Sequence, residues 1–65
     1  MEYQVFVNMF GHRELVITSK NEEKTKGIVN NLISSYKISP MAISVREYDK
    51  AGKFMRKKCG TDFLN

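Results

Sequence analysis

The chain has 65 residues, 42% of them apolar and 28% charged, with four Gly, one Pro and one Cys. A chain near 60 residues buries only about 60% of its unfolded surface, so the length suits one small domain over 1–65, and the ordinary composition excludes disordered, collagen-like and coiled-coil classes. Eleven Lys and Arg against seven Asp and Glu give a formal charge of +4, which excludes an acidic mimic of nucleic acid.

Met1-Glu2-Tyr3-Gln4 places an acid and an amide where a secretory signal carries Lys or Arg before an apolar stretch. The longest apolar runs, such as Leu15-Val16-Ile17, are far short of the roughly 20 residues that a membrane helix needs. The expectation is a cytoplasmic protein of a bacterial or phage-type cell, with no membrane span. The lone Cys59 suits a reducing compartment, since a secreted domain of this size usually carries several disulfides.

Residues 3 to 10 alternate with period two, setting Tyr3, Val5, Val7 and Met9 on one face of a strand and Gln4, Phe6, Asn8 and Phe10 on the other. Gly11 and the β-rich run Glu14-Leu15-Val16-Ile17-Thr18 make a hairpin with it. With Gly11 first in a two-residue loop the turn is type II′ and Phe10 faces Arg13; a longer loop shifts that register by one and turns the second strand over. Ser19-Lys20-Asn21-Glu22 fits a capping box and predicts a helix over about 20–36, with Glu22 and Glu23 at the positive end of its dipole. Ile28, Val29, Leu32, Ile33 and Tyr36 recur at helical spacing as its buried stripe, and Gly27 inside the pattern implies close packing on a sheet.

Pro40 stops the helix and leaves Ser39 extended. Met41, Ile43, Val45 and Glu47 then alternate with Ala42, Ser44, Arg46 and Tyr48 as a third strand. Asp49-Lys50-Ala51-Gly52 is a hairpin loop, and a fourth strand follows from Lys53 to about Cys59. Residues 60–65 form a tail whose Phe63 and Leu64 are apolar enough to dock. The fold class is α+β, in the order ββαββ, with one helix on a four-stranded, mainly antiparallel sheet. If the two hairpins meet through strands one and four, running parallel at the centre, the arrangement resembles the β-grasp architecture in element order; the residues carry no family motif.

The single helix covers one face of such a sheet, yet Phe6 and Phe10 point to the other. Either Phe63 and Leu64 fold over that second face or a second copy of the chain covers it. Phe6, Phe10, Phe63 and Leu64 are therefore the expected self-association residues of a small non-enzymatic interaction module, acting through protein contacts as a homodimer.

The charge suggests an alternative. Residues 37–58 hold seven basic and two acidic side chains, a local +5, whereas residues 1–36 are balanced at four each. Pairing across the second loop places Tyr48 opposite Lys53 and sets Arg46 and Lys57 on the same face. Aromatics among cations on a sheet suit single-stranded nucleic acid, with stacking for bases and charge for phosphates. The plainer role of these lysines is to guard a sheet edge.

His12 and Cys59 are single residues of their kind, too few for a zinc set, and they come from different hairpins. No paired carboxylates and no glycine-rich phosphate loop accompany them, so no catalytic residue, metal or cofactor is expected.

Overall fold

The computed structural model describes residues Met1–Asn65. The chain runs β1 (Glu2–Met9), β2 (His12–Ser19), α1 (Glu22–Ser34), a 3-10 turn (Pro40–Ala42), β3 (Ile43–Tyr48), β4 (Phe54–Cys59) and α2 (Gly60–Leu64). The four strands form one sheet in the order β2-β1-β3-β4, antiparallel throughout. This is the α+β, ββαββ arrangement expected, with the tail wound into a short second helix.

The strand order differs from the β-grasp expectation. β1 and β3 are the central pair, matched Val5 to Val45 and Val7 to Ile43, and no parallel pair exists. Those four side chains are buried, because their faces meet the helix together. β4, Phe-Met-Arg-Lys-Lys-Cys, lies at an edge of the sheet, where its three cations discourage edge-to-edge pairing.

Local details move within this frame. Phe10 and Gly11 both take positive φ, +52° and +79°, and Met9 pairs with His12. The first loop is thus a two-residue turn of type I′ character centred on Phe10-Gly11, whose twist matches that of the strands. A bulge opposite Val5 and Phe6 leaves Val16 outside the ladder and restores the pairing of Val5 with Ile17. α1 starts two residues later than the capping box implies. Ser19 still belongs to β2, and Asn21, as good a cap as Ser, accepts from the Lys24 N–H at 2.9 Å through its side chain.

The helix buries Thr25, Val29 and Leu32 and packs Ile28 and Ile33 at the margin. Thr25 is tolerated in this dry stripe because its hydroxyl donates to the Asn21 carbonyl at 2.7 Å. Tyr36 lies past the helix end and is 68% exposed, so it is not part of the stripe. Gly27 is exposed, with open space where a Cβ would stand; the close-packed glycine is Gly60 instead, where a Cβ would lie 3.0 Å from the Pro40 carbonyl oxygen. Met41, expected in the third strand, sits in the 3-10 turn and points to solvent.

Phe63 does not take the expected place on the second face of the sheet: it is 4% exposed on the helix side, edge-on to Tyr3 with ring centres 5.7 Å apart, and Leu64 packs beside the same core. α2 adds cover to the face that α1 already protects. The shortest dimension of the molecule, 17 Å, accommodates one sheet and one helical layer, and the opposite face of the sheet is left open.

Candidate nucleic-acid interface on the open sheet face

Residues opposite one another in adjacent strands point the same way, so the register assigns the open face directly. β1 contributes Glu2, Gln4, Phe6 and Asn8; β3 contributes Ser44, Arg46 and Tyr48 opposite them. Arg13, Leu15 and Thr18 of β2 face Asn8, Phe6 and Gln4, while Phe54, Lys57 and Cys59 of β4 face Tyr48, Arg46 and Ser44. Three aromatic rings and three cations thereby share a surface whose one carboxylate is Glu2.

These side chains interleave. The Arg46 guanidinium lies near both Phe6 and Phe54, 5.9 Å and 5.5 Å from their ring centres, and Arg13 lies 4.9 Å from the centre of Phe6. Tyr48 and Phe54 meet edge to face at 5.7 Å. Cation–π contacts of this kind hold flat groups in a row across the strands without consuming the charge. The Arg46 Nε is buried and has no hydrogen-bond partner. From β2 to β4 the face spans three strand spacings, about 14 Å.

Of the residues singled out by sequence, the structure brings Arg46, Tyr48 and Lys57 onto one face and adds Phe6, expected from the sequence as a self-association residue. Lys53 is not on the face. A bulge between Glu47 and Tyr48 brings Phe54 opposite Tyr48, and Lys53 closes the loop, its N–H donating to Asp49 Oδ1 at 2.9 Å. Phe10 sits at the hairpin tip, beyond the paired face. Alternation alone does not reveal the places of Phe54 and Arg13, because both depend on a bulge and a turn.

The remaining cations of β4 turn to the helix side. Glu47, 4% exposed, continues the buried row of Ile43 and Val45 and is paired with Arg56 Nε at 3.8 Å and Lys58 Nζ at 3.6 Å. Its place in the alternation with Ile43 and Val45 was the signal for that burial. Beside it the Tyr3 hydroxyl donates to Glu22 Oε1 at 3.2 Å, and Lys26 Nζ lies 3.5 Å from the other Glu22 oxygen. Burial, and then the neighbouring Glu22 carboxylate, hold the Tyr3 phenol above its ordinary pKa. Arg56 and Lys58 are thus engaged within the chain, whereas Arg13, Arg46 and Lys57 form no ion pair.

His12 lies on β2 and Cys59 on β4, opposite edges of the sheet, which keeps a base and a thiol at least three strand spacings, about 14 Å, apart. No group of three or more His, Cys, Asp or Glu is placed to hold a metal ion. No helix is long and apolar enough to cross a membrane. No known protein family matches the chain, and no curated protein or solved structure matches it either.

Proposed function

We propose that this protein is a small, non-enzymatic, cytoplasmic binding module that engages single-stranded nucleic acid on the open face of its sheet. The observation that carries this reading is the row Arg13, Phe6, Arg46, Phe54 and Tyr48, with Lys57 alongside, on a surface that nothing in the chain covers. Bases stack on aromatic rings and on guanidinium planes, and four-stranded sheets that work this way stack two or three bases. Three unpaired cations then meet the phosphates. A duplex hides its base faces and gains only the charge term.

The open face also bears on self-association, since Phe6 lies on it. Two copies stacked face to face would set Arg13, Arg46 and Lys57 of one against those of the other, so a polyanion is the better complement. Phe63 is in the core and unavailable to a partner. The homodimer reading rests on Phe10 instead.

Fluorescence anisotropy of a labelled oligothymidine strand and of a matched duplex, read against salt, tests the assignment. Three phosphate contacts give a log–log salt slope near about −2 for a single strand. Tyr48→Ala or Phe54→Ala should weaken single-strand binding by about 5- to 150-fold, the equivalent of 1–3 kcal/mol per stacked base, and duplex binding much less. Absence of binding at low salt, or equal losses on strand and duplex, would overturn the proposal.

A further inference from the structure

We infer that two copies of this chain join at the tip of the first hairpin, with Phe10 of each copy seated in the cleft beside the tip of the other. Four observations converge there. Phe10 is 93% exposed, and its backbone φ of +52° is one that Asn or Gly adopts freely and a bulky side chain rarely does. The backbone therefore holds an aromatic ring almost wholly in water, in a conformation strained for that residue.

A receptor for the ring lies on the same surface. Val7, Met9, His12 and Glu14 share one face of the hairpin by register, and with Phe10 they line a cleft of about 260 Å³ that is mostly apolar. A knob and a hole on one patch are what a two-fold contact requires, because each copy then supplies both. A different protein would need only the knob.

The tip is also free and close to neutral. The ladder of β1 with β3 ends at Val7 and Ile43, so the pairs of Asn8 with Arg13 and Met9 with His12 project past the rest of the sheet. Met41, 78% exposed in the turn that leads into Ile43, adds apolar surface at this end of the molecule. Elsewhere a chain of charge +4 repels its copy, most strongly across the open face and β4; at the tip Arg13 and Glu14 offset each other. The patch is small beside a standard interface of about 1,600 Å², so the association is weak and best sought from micromolar to millimolar protein.

Sedimentation equilibrium over that range, with Phe10→Asn as the variant, decides the matter. Asn suits the positive φ, so the variant folds as well as or better than the parent, with a thermal midpoint in dilute solution equal to the parent's or higher by up to about 4–8 °C. The parent should show a monomer–dimer equilibrium and the variant a monomer throughout. Dilution should move the backbone NMR signals of Val7, Met9, His12 and Glu14 in the parent alone. A parent that stays monomeric to millimolar concentration, or a folded Phe10→Asn that associates as the parent does, overturns the inference. Oligonucleotide binding is expected to survive in Phe10→Asn, so the result is separable from the nucleic-acid reading.

Discussion

Replacing Phe63 by Ala tests the placement on which the two-layer architecture depends. The ring is 4% exposed, edge-on to Tyr3, and belongs to the same eight-residue core as Val29, Leu32 and Val45. Truncation of a buried Phe to Ala costs about 3–5 kcal/mol, which combines lost transfer energy with the cavity left behind. At about 0.05–0.15 kcal/mol per residue, a chain of this length holds about 3–10 kcal/mol in all. The variant should therefore lose between a third and all of its stability, and its thermal midpoint should fall by at least about 12 °C at 4–8 °C per kcal/mol. Phe63→Leu keeps most of the volume and should cost less than about 1.5 kcal/mol. Urea melts followed by far-ultraviolet circular dichroism read both changes. If Phe63→Ala shifts the unfolding free energy by less than about 0.5 kcal/mol, as a surface change does, the ring is not in the core and the account of α2 fails.

Leu32→Ala should cost about 2–5 kcal/mol in the same melts, since Leu32 is buried on the sheet-facing stripe of α1; a loss under about half a kcal/mol would remove it from the core. Gly60→Ala should destabilise by about 1–3 kcal/mol, because the added methyl meets the Pro40 backbone, which has no flexible end to yield; Gly27→Ala, facing open space in the helix, should stabilise by about 0.5–1 kcal/mol. Tyr3 sets an alkaline limit. Its folded pKa lies above the ordinary value of 10.0, so its contribution is fully present below pH 10 and is lost as the pH rises through the folded value. Stability measured from pH 8 to 12 should fall less steeply in Tyr3→Phe than in the parent, and parallel curves would contradict the assigned shift.

Much of the architecture is legible in the chain because it rests on local periodicity. Alternation in Tyr3-Gln4-Val5-Phe6-Val7 and in Ile43-Ser44-Val45-Arg46 requires two strands with one buried face each, and the spacing of Ile28, Val29, Leu32 and Ile33 requires a helix to cover that face. Gly11 and Asp49 to Gly52 mark where the chain reverses. From these the ββαββ order follows, and so does the uneven cover of the sheet, since one helical stripe cannot protect two faces.

What local pattern leaves open is which strands meet and in what register. Pairing β1 with β3 sets Phe6 beside Arg46, and the bulge after Glu47 sets Phe54 beside Tyr48; the aromatic row exists only once both have happened. Neighbouring residues alone do not determine either pairing. The sequence places Arg46 and Lys57 on one face of the last hairpin and Phe6 on the less covered face of the first strand, but it does not show that these faces join into one surface. Phe63 illustrates the same point from the other side. Its apolarity demanded burial, and both faces of the sheet offered it; the buried layer under Tyr3 won because α1 left a gap there that a five-residue helix starting at Gly60 fills. Long-range packing chose between sites that the sequence made equally attractive, and in doing so left the cationic, aromatic face open.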